Sequence, residues 1–288
     1  MPDIPAARAF IRAHARILDQ RRAIALLDGG PTDAVVAAVL AYRNPDGGFG
    51  HGLEPDTRDP ASQPLYAQVA LEAVGSVDAH LPDDVTASLC DHLAGVADRA
   101  GALPIMFPSF ADHPRASHWQ EVTSFPPGLN PTAAIAGLLH GQQVRHAWLD
   151  DATAWCLDAI AAGVEGNAHV HLCALTLLTH LPDRATAERL APQVLTALVD
   201  APDYRADPDD PEYGLTPLDI APRPDSTWRS WFDADLVAAH LDALASEQQP
   251  DGGWPIRWEP PTEPSVWEWR GMVTVDALDR LRHHRVDP

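Results

Sequence analysis

The loop Gly50-His51-Gly52-Leu53-Glu54-Pro55-Asp56-Thr57-Arg58-Asp59 carries one histidine, three carboxylates and one arginine, the densest titratable cluster in the chain. A carboxylic acid in partly apolar surroundings keeps its proton to higher pH than a free one, so it can protonate a bound molecule. Glu54, Asp56 and Asp59 are therefore the candidate proton source. His51 or Arg58 would orient the molecule or bind an anion on it. The opposing reading is a rigid loop pinned by an ion pair between Arg58 and a carboxylate.

A second group is aromatic. Six of the nine tryptophans, Trp228, Trp231, Trp254, Trp258, Trp267 and Trp269, crowd the C-terminal third. Aromatic faces stabilise a carbocation or stack on a sugar ring. Trp254 reads as a structural plug, whereas Trp228, Trp231, Trp258 and Trp267, with Trp119 in an earlier loop, are candidate substrate-binding residues. Large aromatics also serve packing alone. Arg58, Arg115 and Arg229 lie in long loops or near helix starts and are the cations best placed to receive a phosphate. His169, His171 and Cys173 invite a metal reading, yet residues two apart on a helix point about 200° away from each other, so only His169 and Cys173 share a face. We expect no metal there and a neutral histidine within a cavity.

The elements that must hold these residues are helices. Apolar residues recur three and four apart in Ala- and Leu-rich segments, which predicts helices near 5–27, 32–43, 62–76, 82–97, 130–141, 147–163, 167–180, 183–200, 233–247 and 265–284. Strand signal is slight, so the expected class is all-α, with residues 1–288 as one domain. Short and long connections alternate, the pattern of repeated helical hairpins with long loops at one end. Long loops in a domain of this kind are usually functional.

Two of the long loops resemble each other: Asn44-Pro45-Asp46-Gly47-Gly48-Phe49-Gly50 and Gln249-Pro250-Asp251-Gly252-Gly253-Trp254. Residues 204–210 echo them without the paired glycines. Pro-Asp-Gly-Gly supplies a fixed φ, a side-chain acceptor and two residues free to take positive φ, after which Phe or Trp folds back between neighbouring hairpins. The segment 246–254 resembles the glutamine-tryptophan repeat of squalene-hopene-type cyclases. Residues 46–50 are similar to the Gly-Gly-Phe repeat of protein prenyltransferase β subunits.

That resemblance to the terpenoid cyclase and protein prenyltransferase superfamily implies an α/α toroid of about five to six helical hairpins, inner helices lining a central cavity. The inner helices would follow Asp59-Pro60-Ala61-Ser62, Asn130-Pro131-Thr132, Asn167, Asp225-Ser226-Thr227 and Pro264-Ser265, residue types that also cap helices. Residues 5–27 would be the first inner helix, and 212–232 a Pro-broken replacement for the fifth. Asp207-Pro208-Asp209-Asp210 matches the letters of the acid motif of class II terpene cyclases, but that motif opens an inner helix, whereas Pro211 follows at once here. The Asp-x-Cys zinc pattern of protein prenyltransferases does not occur.

Composition narrows the functions further. All 20 basic residues are Arg, so Schiff-base enzymes, P-loop phosphate binders and protein kinases are excluded for want of lysine. A formal charge of −21 argues against nucleic acid. Three cysteines with no close pairing argue against a disulfide framework. Neither a signal peptide nor an apolar membrane span is legible, and the expected setting is soluble and cytoplasmic. The leading expectation is a small terpene-cyclase-like enzyme that acts by acid chemistry on a hydrophobic, isoprenoid-like small molecule in a central cavity. It would need no resident cofactor, with magnesium entering only alongside a diphosphate substrate. The alternatives are a carbohydrate-active toroid, a glycosidase or polysaccharide lyase with paired carboxylates flanking a sugar, and a non-catalytic ligand-binding or interaction module. The sequence leaves the oligomeric state open.

Overall fold

The computed structural model describes residues 2–284 and is all-helical apart from one two-residue strand pair, Leu103–Pro104 with Pro127–Gly128. Twelve helices occur among the described residues: α1 (Ile4–His14), α2 (Ile17–Asp28), α3 (Asp33–Leu40), α4 (Pro64–Gly75), α5 (Asp83–Val96), α6 (Leu129–Gly141), α7 (Ala147–Ala162), α8 (Ala168–His180), α9 (Arg184–Leu198), α10 (Pro217–Ile220), α11 (Ala234–Ser246) and α12 (Glu263–His283). None of them is long and apolar enough to cross a membrane.

Their starts follow the capping chemistry of the sequence. Asp3, Asp183, Thr216, Asp233 and Thr262 each accept a backbone N–H of the first turn. Thr262, not Ser265, caps α12. The long segment expected over 5–27 is two helices, interrupted where Ala15 takes ψ 152° and Arg16 ψ 157°. No Pro or Gly marks that break. Tertiary contacts make it: α12 crosses at Gly271, whose missing side chain leaves room for Ala15, while Arg16 turns its guanidinium to Asp19 at 2.8 Å and Leu53 O at 2.6 Å.

The break changes the pairing. α2 packs on α3 and on α12, whereas α1 packs on α12 and joins the start of the chain to its end. Asp3 and Gln248 exchange two hydrogen bonds, and Gly252 and Gly253 lie against Ala6 and Phe10. α4, α6 and α8 pack in sequence, with α6 and α8 in closest association. Gly137 sits on Thr176 and Leu177, and Gly141 on His180, so α6 and α8 rise in the same direction with backbones nearly touching. Residues 212–232, expected as a broken helix, contain α10, a single turn with a reciprocal capping box between Thr216 and Asp219, and a second short turn at Arg229–Trp231. Pro222 and Pro224 come next and prevent its continuation.

Charged groups tie α2, α10 and α12 together from inside. Asp19, with no exposed surface, sits between Arg16 and Arg22, and Arg22 reaches Asp276 of α12 at 2.7 Å. Arg280 holds Asp219 of α10 at 2.8 Å. Between α2, α4 and α12 lies a cavity of about 380 Å³ lined by Arg16, Asp19, Arg22, Glu72, Asp276 and Arg280, among others.

Candidate functional site

The loop after α3 is assembled from its own turn outward. Asp46 accepts from Gly48 N–H at 3.0 Å and from Ser62 Oγ–H at 2.8 Å, Arg43 pairs with Phe49 across the turn, and Phe49 is fully buried. The chain then descends through buried Leu53, so that Glu54 and Asp56 enter the interior at 7% and 6% exposure. Two carboxylates that close to full burial require partners.

Asp56 has them on every side. Its Oδ1 accepts from Trp269 Nε1–H at 2.7 Å and from Trp258 Nε1–H at 3.0 Å, and its Oδ2 lies 3.4 Å from His118 Nε2. Asp56 N–H donates to Glu54 Oε2 at 3.1 Å, which sets the two buried carboxyl groups side by side. Burial pushes the Glu54 carboxyl well above the usual carboxylate range, and the neighbouring Asp56 charge adds to it. Burial also raises Asp56, but His118 and the two indole N–H groups hold it back. The surroundings thus favour the neutral form of Glu54 more than that of Asp56, whose charge the indoles and His118 stabilise.

Trp258 extends the site. Its ring meets Trp269 edge-on with centroids 5.0 Å apart and Tyr213 edge-on at 5.2 Å. Tyr213 Oη lies 2.7 Å from His169 Nε2 at the first turn of α8. Tyr213 and Trp258 also line a groove of about 250 Å³ with Leu218, Ile256 and His240, rimmed by the Arg257–Glu247 ion pair. No family model matches the chain, and no curated protein matches it.

The other residues singled out in the sequence divide between scaffold and distance. Asp59, with no exposed surface, spends both carboxylate oxygens on Ala61 N–H, Gln63 Nε2–H and Ser109 Oγ–H, fastening the loop to the single turn Pro108–Asp112. Arg58 pairs with Glu268 at 2.8 Å and donates to Ser265 Oγ, an ion pair of the kind expected from the loop, although its carboxylate belongs to α12. His51 takes φ 61° and points to solvent. Arg115 donates to Ala111 O and lies over Phe110, whose ring Trp119 meets edge-on at 5.7 Å.

Three expected binding residues sit at the other end of α8. Trp228 Nε1–H donates to Thr179 Oγ1, ten residues and about 15 Å along the helix from His169. Arg229 and Trp231 belong to the single turn beside it, and Trp231 is 44% exposed. The segment 221–233 crosses to that end before α11 starts, so it cannot bring these side chains to Asp56. Trp267 stacks on His14 at 4.6 Å between α1 and α12.

Trp269 is at Asp56 instead because two residues on a helix turn the direction by about 200°. Its place in the tryptophan cluster is the available signal, and helical phase separates it from Trp267. His118 carries no signal beyond its position next to Trp119. Tyr213 has none apart from its place in the segment before α10. His169 and Cys173 do not converge on one group: the first goes to Tyr213, the second to within 4.0 Å of Gln68 Oε1. Asp207 and Asp210 accept from Asp209 N–H and Glu212 N–H, and Asp210 pairs with Arg205.

Proposed function

We propose that this protein is an acid catalyst with the Glu54–Asp56 pair as its proton source. The observation that carries the reading is the buried dyad itself, Glu54 beside an Asp56 carboxylate held by two indole N–H groups. A carboxylate so held cannot be read as a helix cap or a surface ion pair. The single proton of the pair passes from Glu54 through Asp56 to the substrate, leaving both carboxyl groups ionised until water restores it, while the faces of Trp258, Trp269 and Tyr213 favour a developing positive charge.

The substrate in this reading is a neutral, unsaturated, isoprenoid-like molecule, and the scaffold a toroid. Support for the toroid comes from the packing order: α12 against both α1 and α2, and α4, α6 and α8 side by side. On this reading α2, α4, α6, α8, α10 and α12 form the inner ring, and α1 is the outer partner of α12. No resident cofactor takes part.

The test is turnover of squalene, farnesol and geranylgeraniol, with products followed by mass spectrometry. Wild-type protein should convert at least one of them, and Asp56→Asn and Glu54→Gln should each slow it by about 10²–10⁴-fold. Conversion that survives Asp56→Asn unchanged would sink the proposal.

A carbohydrate reading draws on one observation, the charged lining of the 380 Å³ cavity, where an apolar wall would suit a hydrocarbon better. It requires Asp56-dependent cleavage of an oligosaccharide and thermal stabilisation by oligosaccharides in place of prenols.

A further inference from the structure

A reaction begun by a proton donor ends only when a proton leaves the substrate, and a second group beside it can take that proton. We infer that Tyr213 and His169 are the proton acceptor of the same site, an inference that rests on the acid-catalyst reading above. Tyr213 Oη and His169 Nε2 lie 2.7 Å apart, with rings inclined by only 14°. A hydroxyl hydrogen-bonded to an imidazole nitrogen is the arrangement in which a base raises the basicity of an oxygen.

The pair is also placed for it. Tyr213 packs perpendicular to Trp258, whose indole N–H is on Asp56, so one aromatic residue touches both donor and acceptor. Tyr213 and Trp258 both line the 250 Å³ groove. Burial lowers the basicity of His169, while Asp219 and Asp203 oppose that effect and His118 adds to it. Among the described residues His169 hydrogen-bonds through its side chain to Tyr213 and pairs with no carboxylate.

The step balances. The terminal double bond of the substrate takes a proton from the dyad and leaves a carbocation. A C–H bond beside the cationic carbon then breaks. Its electron pair becomes a new double bond, its proton forms a new O–H bond on Tyr213, and the original Tyr213 proton passes to His169 Nε2. The dyad is one proton short and His169 one in excess until water returns them.

This requires a defined tautomer, with Nε2 bare and the proton on Nδ1. In protein labelled with ¹⁵N-histidine, the Nε2 resonance that disappears in His169→Gln should show the shift of an unprotonated imidazole nitrogen at neutral pH. A protonated Nε2, donating to Tyr213 oxygen, would overturn the inference whether or not a substrate is known. Asp56→Asn should leave that resonance in place.

The second arm uses farnesol in D₂O as the probe. Tyr213→Phe and His169→Gln should retain deuterium uptake into the product while the olefin fraction falls by about tenfold or more in favour of water-captured alcohols. An unchanged olefin fraction in both variants overturns the acceptor and leaves the donor standing. Deuterium uptake that persists in Asp56→Asn overturns the donor instead.

Discussion

The turns at 44–49 and 249–254 are built alike and lead to different ends. In each, the first residue donates its N–H to the second glycine's carbonyl at 2.9 Å, the aspartate accepts that glycine's N–H at 3.0 or 3.1 Å, and the first glycine takes φ 94° or 92°. Phe49 and Trp254 then close the turn at 0% and 2% exposure. Beyond the aromatic the copies diverge. The first runs into Glu54 and Asp56, the second into Trp258, and the two meet where Trp258 donates to Asp56. The repeated turn is scaffold, and the candidate site lies in the residues C-terminal to each aromatic, where the copies share only a Glu-Pro at the same spacing, Glu54-Pro55 and Glu259-Pro260.

If the repeats are equivalent plugs, removing either aromatic should do similar damage. Phe49→Ala and Trp254→Ala are each expected to cost about 3–5 kcal/mol in denaturant unfolding. Trp254 should stand at the upper end, because its indole N–H also donates to Leu244 O at 2.7 Å. A loss below about 1 kcal/mol for one of them would break the equivalence.

The divergent parts should behave in the opposite way. Glu54 has its pKa raised in the folded protein, so its contribution to stability is fully present below the ordinary glutamate pKa and is lost as pH rises through the higher folded value. Glu54→Gln should therefore match wild type in acid, where both are neutral at this position, and exceed it increasingly toward neutral and alkaline pH. Thermal melts across that range decide it. A parallel offset at every pH would mean that Glu54 is not the buried acid.

The smallest difference lies within the turns. Asp251 holds Arg270 through two hydrogen bonds at 2.7 and 2.8 Å, which depress its pKa, whereas Asp46 has Ser62 and a 3.7 Å approach to His92. Asp251→Asn should cost roughly 0.5–1 kcal/mol and Asp46→Asn less, since an exposed ion pair contributes little. The Asp251 contribution should also fade as pH drops through its depressed pKa. Reversal of that order in chemical unfolding would show that the Ser62 bond matters more than the arginine.

Much of the architecture is legible in the sequence. The all-helical class, most helix positions and the plugging role of Trp254 follow from apolar spacing and turn chemistry. Glu54 and Asp56 stand out by density, and Trp258 by its cluster. The partition within the acidic loop does not, because Asp59 and Asp56 are the same residue type and only its neighbours, Gln63 and Ser109, make Asp59 a fastener. Nor can the sequence separate Trp228 from Trp258, since the difference between them is the end of the fold to which each loop returns.

The sequence by itself determined what is local: where helices start, where Pro222 and Pro224 stop one, and that Asp-Gly-Gly must turn, each set by a few neighbouring dihedrals and donors. Tertiary structure decided the break at Ala15 and Arg16, the choice of Trp269 over Trp267, and the meeting of Asp56 with an indole 202 residues away. The physical reason is that burial and its partners fix a carboxyl group's proton, and both are supplied by segments that the loop's own residues cannot specify.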